Sequence, residues 1–73
     1  MENTEKEIVI IHGEVVNCSK LNVRSAASKQ AQVKCIVSRG DILQIEPFNS
    51  GWVKVITPAG INGYCKKEFI EEK

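Results

Sequence analysis

Aromatic side chains are scarce in this chain of 73 residues, which has one tryptophan, one tyrosine and two phenylalanines. The groups that most enzymes rely on are scarcer still, with one histidine, His12, and one aspartate, Asp41. Cys18, Cys35 and Cys65 form no Cys-x-x-Cys pair, and His12 has no ligand at a metal-site spacing, which excludes a recognisable metal centre. No cofactor is expected. The odd cysteine count argues against a disulfide framework and leaves room for at most one bridge. The favoured reading makes all three cysteines small buried hydrophobes. Apolar runs around Cys35 and Cys65 support it, and those around Cys18 do so less. Nothing sets His12 beside a thiol for Cys–His catalysis. The acidic residues gather mostly at the two termini, so paired-carboxylate chemistry has no scaffold. The chain reads as not an enzyme.

Long hydrophobic runs are missing too. The longest, Ile8-Val9-Ile10-Ile11, has four residues, against about 20 needed to cross a bilayer. No secretory leader is present. The chain as given therefore reads as cytosolic or, equally, as a segment of a longer secreted protein. Ten basic residues face nine acidic ones, for a formal charge of +1. Apart from Lys66-Lys67 the cations are scattered along the sequence. Nucleic acid, which needs a concentrated basic surface, is not an expected partner. A domain this short buries only about 60% of its unfolded surface, so a shallow surface groove is easier to support than a deep, dry active site.

What the sequence has in quantity is β-strand pattern. Met1 to Glu7 is polar and aperiodic and reads as a tail or linker, with one domain following over residues 8–73. Ile8 to Ile11 is a β-branched run, and Val15-Val16 follows His12-Gly13, where Gly13 is either a bulge joining two strands or the break between them. Leu21-Asn22-Val23-Arg24-Ser25 alternates, with Leu21 and Val23 inward. Ser25 to Gln32 reads as a loop. Val33 to Val37 is the next strand, ended by Ser38-Arg39-Gly40-Asp41 with Asp41 capping the turn. Leu43 and Ile45 alternate around Gln44, and Pro47 to Ser50 turns the chain. Asn49-Ser50-Gly51 makes a hairpin connection into the Trp52 strand. Pro58-Ala59-Gly60 makes another turn, with proline suited to its first central position. Ile61 to Cys65 is a short strand. Lys66-Lys67-Glu68 forms one 3₁₀ turn before Phe69-Ile70 closes the fold. Gly40, Gly51 and Gly63 read as backbone devices at turns and bulges. Five or more short strands with turns about every 8–12 residues indicate an all-β barrel or sandwich. The barrel is favoured, since closure removes aggregation-prone edges.

Alternation also singles out Trp52. Val53 and Val55 share one face of their strand, and Trp52 shares the other with Lys54 and Ile56. With the valines in the core, the largest apolar side chain lies outside beside an ammonium group. An indole offers roughly 150–250 Å² of contact surface, which makes Trp52 the leading binding candidate against a competing role as a cover for one end of the barrel. Tyr64 is a second candidate, and Phe69 is assigned to packing. Asn22 and Arg24 point away from Leu21 and Val23. The Arg24 fork suits a carboxylate, although a structural hydrogen bond fixing the next loop is the favoured use. Ser25, Ser28 and Gln30 are possible hydrogen-bond donors to an extended peptide, and His12 reads as a surface residue.

Taken together, Leu21-Asn22-Val23-Arg24-Ser25, Gly40-Asp41, Gly51-Trp52-Val53-Lys54-Val55 and Gly63-Tyr64 resemble the bacterial SH3 (SH3b) family in order and spacing, from about Gly13 to Ile70. One loop departs from that pattern, with Ala26-Ala27-Ser28 where the family commonly has glycine and proline. The resemblance implies an SH3-like barrel of five to seven short antiparallel strands with one 3₁₀ turn near the C-terminus, without catalytic activity. It further implies a targeting module that binds the peptide part of peptidoglycan, in the cell wall, within a larger secreted protein such as a cell-wall hydrolase. The ligand set it implies is Trp52, Tyr64, Arg24, Asn22, Ser25 and Ser28. The alternative is a structural or protein-interaction module docking within its parent protein or on a partner, and the isolated domain is expected to be a monomer. A more distant similarity is to eukaryotic SH3 domains. There the groove proline would fall near Lys66 and the acidic loop is missing, which argues against proline-rich ligands.

Overall fold

The computed structural model describes residues 10–73. The expected tail and the residues Ile8 and Val9 lie outside the described residues. Seven strands are present: β1 (Ile11–Val15), β2 (Lys20–Arg24), β3 (Val33–Ser38), β4 (Ile42–Pro47), β5 (Trp52–Ile56), β6 (Asn62–Lys66) and β7 (Ile70–Glu72), with one 3₁₀ turn (Lys67–Phe69) before β7. They form one antiparallel sheet in the order β3-β2-β6-β5-β4-β1-β7, an all-β SH3-like architecture.

The period-2 pattern decides which faces meet. Val15, Leu21, Val23, Val37, Leu43, Val53, Val55 and Cys65 are buried and form the core. None of the four aromatic rings is fully buried. Phe69 and Ile70 pack against the core from its margin, and Phe48 is half exposed, at 50%. The one buried polar residue among those described, Thr57, has its hydroxyl satisfied by the Ile61 N–H at 3.1 Å, as a buried polar group requires.

The turns follow local chemistry. Asp41 Oδ2 accepts from the Ser38 N–H at 2.8 Å, while Gly40 takes a φ of +90° that glycine adopts at no steric cost. The Gly40 N–H then donates to the Val15 carbonyl, and the Val15 N–H to that of Asp41, tying this turn to the end of β1. At residues 57–60 the Gly60 N–H donates to the Thr57 carbonyl with Pro58 at the first central position.

Two glycines differ from the expectation. Gly13 is neither a break nor a strand junction; it sits within β1, opposite Leu43 on one side and Glu72 on the other. Gly63 marks neither a turn nor a bulge. It is buried within β6, where a Cβ would collide with a Val23 methyl and sit 2.8 Å from the Arg24 carbonyl oxygen. A bulge occurs instead between β2 and β3, where Val23 pairs with Cys35 and Arg24 with Val33, leaving Lys34 unpaired. All three thiols are free, and only Cys65 is fully buried; Cys18 and Cys35 are half-buried at the core's edge.

Candidate functional site

In-register partners on an antiparallel sheet share a face. Trp52 pairs with Lys66 and Lys54 with Tyr64 across β5 and β6, Arg24 pairs with Tyr64 across β2 and β6, and Glu46 pairs with Lys54 across β4 and β5. The row Arg24–Tyr64–Lys54–Glu46 thus crosses the outer face, and Trp52 and Asn22 project from that same face.

Two clefts open there. A narrow groove of about 220 Å³ is lined by Trp52, Phe69, Asn22, Arg24 and the ammonium-bearing Lys20, Lys29 and Lys66, with Cys18 and Leu21. A wider one of about 550 Å³ holds Tyr64 and Ser25 among Lys34, Lys54, Glu46 and Ile56. The expected set is therefore divided. Trp52, Asn22 and Arg24 come together in the narrow groove; Tyr64 and Ser25 belong to the wide one; Ser28 lines neither.

Trp52 is fixed by the hairpin before it. Asn49 Oδ1 accepts from the N–H groups of Gly51 and Trp52, both at 2.9 Å, and the Asn49 N–H donates to the Trp52 carbonyl at 3.1 Å. This Asx arrangement sets where β5 begins and hence where the indole projects. The Lys67 N–H donates to the Gly51 carbonyl at 2.9 Å, which docks the 3₁₀ turn against the same hairpin and brings Phe69 to the groove. Phe69 thus both packs the core margin and lines the site. The Trp52 ring is half-buried, an apolar floor rather than a projecting wedge.

Arg24 has the structural bond expected of it, donating from Nη1 to the Ala31 carbonyl at 2.9 Å. That bond pins the loop of residues 25–32 beside the groove. The loop is closed further by the Ser25 N–H to the Gln32 carbonyl at 2.8 Å. Ser28 is occupied within the loop, its hydroxyl accepting from the Gln30 N–H and donating to Gln30 Oε1. A guanidinium carries five N–H donors, so Arg24 retains donors for a ligand. In the wide cleft Tyr64 packs edge-on against Phe48, with ring centroids 5.0 Å apart. The Lys34 ammonium donates to the Asn62 carbonyl.

Sequence reasoning did not bring Lys20, Lys29 or Lys66 to the site, nor Phe48 to Tyr64. The first three are brought together by the non-local β2–β6–β5 order and the overlying loop. Among the described residues no group of three His, Cys, Asp or Glu side chains could hold a metal ion, and no helix is long and apolar enough to cross a membrane.

A small seven-stranded domain whose aromatics line surface grooves belongs to the class of SH3-like binding modules. Residues 19–71 match the model of the bacterial SH3 domain, and the chain belongs to that family, whose members are typically non-catalytic binding domains. No curated protein matches the chain.

Proposed function

We propose that this bacterial SH3 domain is a non-catalytic targeting module that holds the peptide part of peptidoglycan, as part of a larger protein working at the cell wall. The observation carrying the reading is the half-buried Trp52, flanked by Phe69 and Asn22 in a shallow groove, in a molecule whose core uses no aromatic ring. A narrow apolar floor suits a peptide of small residues, because glycine and alanine let the backbone approach an aromatic face closely, while the Asn22 amide has both donors and an acceptor for peptide groups. With so few anchors the affinity is modest. Retention on purified bacterial walls tests this: Trp52→Ala is expected to lose most of the retention of the native protein. Equal retention of a folded variant removes Trp52 from the site, and no retention of either removes the wall reading.

A second reading, docking within the parent protein or on a partner protein, has its own observation. The edge strand β3 exposes Ile36 at 59% and Val33 at 40%. Sedimentation of the domain alone and with its parent's other domains decides it; the wall reading expects a monomer with no affinity for them.

A further inference from the structure

The charge around Trp52 is not what the composition predicts. The chain carries ten basic and nine acidic residues, yet Lys20, Arg24, Lys29 and Lys66 line one narrow groove with no carboxylate in its lining. The side-chain hydrogen bonds that two of them make are to neutral groups: Lys20 donates to the Ser38 hydroxyl at 3.3 Å and Arg24 to the Ala31 carbonyl at 2.9 Å. Lys29 makes no ion pair among the described residues. Only Lys66 approaches an acid, Glu68, at a loose 3.9 Å, and that carboxylate is 62% exposed. The other described acids lie elsewhere: Glu14 pairs with Lys73, Glu71 and Glu72 of β7 sit opposite Glu14 and Gly13, Asp41 caps its own turn, and Glu46 lines the wide cleft. Among the described residues, four cations against one solvated carboxylate give the groove an excess of positive charge. Charges act over about one Debye length, roughly 8 Å at physiological salt, so cations lining one small groove add their fields within it.

From this we infer that the Trp52 groove selects a peptide bearing a free carboxylate, with the carboxylate held by Arg24, Lys29 and Lys66 and the adjoining small residue laid on Trp52 and Phe69. The inference rests on the wall-peptide reading above and names the part of the peptide that is read. Arg24 supplies planar donors for one carboxylate oxygen, and the two ammonium groups supply mobile point charges. Lys29 comes from the loop that Arg24 pins, so the cation that closes over the ligand is carried by a segment already ordered before binding. A peptide is favoured over a phosphate polymer because the four cations converge on one small groove of about 220 Å³, which suits a single anionic end better than the repeating charges of a long chain.

The test uses the native protein on three preparations of the same purified wall: untreated, with carboxylates converted to amides by carbodiimide and ammonium, and stripped of phosphate polymers by acid. Retention is expected to fall about tenfold on amidated walls, the size of losing one well-made charge-assisted contact, and to be unchanged on stripped walls. A Lys29→Gln/Lys66→Gln variant is expected to bind untreated walls as weakly as the native protein binds amidated ones. Equal retention on untreated and amidated walls overturns the inference and leaves the wall reading standing. Loss on stripped walls alone assigns the charge to phosphate and also overturns it. Absence of retention on untreated walls overturns both.

Discussion

Replacing Gly63 by alanine tests the packing beneath the two clefts. An alanine Cβ there would meet the Val23 methyl and would lie 2.8 Å from the Arg24 carbonyl oxygen, which is backbone and has no rotamer to retreat into. Both obstacles belong to β2, at the register where Arg24 pairs with Tyr64. The variant must therefore push β2 away from β6. Overpacking of this kind costs typically 1–3 kcal/mol, and a backbone obstacle places Gly63→Ala in the upper part, about 2–3 kcal/mol. At roughly 0.05–0.15 kcal/mol per residue a domain of this size has a total stability of about 4–11 kcal/mol, so a large share is lost. With about 4–8 °C per kcal/mol for domains of this length, the melting temperature should fall by roughly 10–20 °C. Thermal unfolding followed by circular dichroism measures this. Gly51→Ala is the control: its nearest neighbour is Asn49 Oδ1 at 4.0 Å, and its φ is not in the left-handed region, so it should shift stability by less than about 0.5 kcal/mol. If both variants melt within a few degrees of the native domain, the close approach of β2 to β6 is not a constraint and the reasoning fails.

Gly13→Ala should fall between those two: the nearest atoms are side chain rather than backbone, but Ile70 Cγ2 at 2.5 Å is a branch methyl that moves only by a χ1 rotation, while Ile45 Cδ1 at 3.0 Å is a freer end; the order of the three melting temperatures checks it. Asn49→Ala removes the acceptor shared by the Gly51 and Trp52 N–H groups and should cost about 1–2 kcal/mol, with a change in Trp52 fluorescence that marks the loosened indole. Burial pushes the Cys65 thiol up from 9.0 to about 12, with smaller contributions from Cys35 and Cys18. The unfolded chain then releases a proton above pH 9 that the folded chain keeps, so stability falls as pH rises from about 9 towards 12. Urea unfolding of native and Cys65→Ala proteins across the lower part of this range, from about pH 8.5 to about 10.5, should give a steeper decline for the native protein; parallel slopes would contradict the assignment. The half-buried Cys18 and Cys35 should also react with maleimide in the folded state while Cys65 reacts only on unfolding, which mass spectrometry of labelled peptides resolves.

Strands β2, β4 and β5 are readable because each alternates at period 2 between turn residues with mechanical reasons to be there, whereas β7, three residues long, carries no such period. Leu21 and Val23, Val53 and Val55, and Leu43 each fell inward as the pattern requires. Gly13 was ambiguous because a glycine inside a strand and a glycine between strands look the same locally; only the pairing of β1 with both β4 and β7 separates them. The site was half legible. Trp52 declared itself by lying on the face opposite two core valines, but the partition of Tyr64 and Ser25 from Trp52 into separate clefts follows from the spatial order of β2, β6 and β5 and has no local signal. The cations around Trp52 come from β2 and the loop after it, and from β6 dozens of residues further along, a meeting no local pattern encodes.

The pairing of β1 with β7 also has a mechanical consequence. Gly13 lies opposite Glu72, and the Lys73 N–H donates to the His12 carbonyl at 2.8 Å, so His12 and Lys73 lie side by side at one end of two antiparallel strands. Tension applied between them would act across the ladder and break its bonds one at a time, as a zipper opens, instead of loading them all in shear. The first structure to yield would be β7, and with it the anchorage of the 3₁₀ turn that presents Phe69 beside Trp52. A pull across these two residues would thus weaken the groove before it unfolds the sheet.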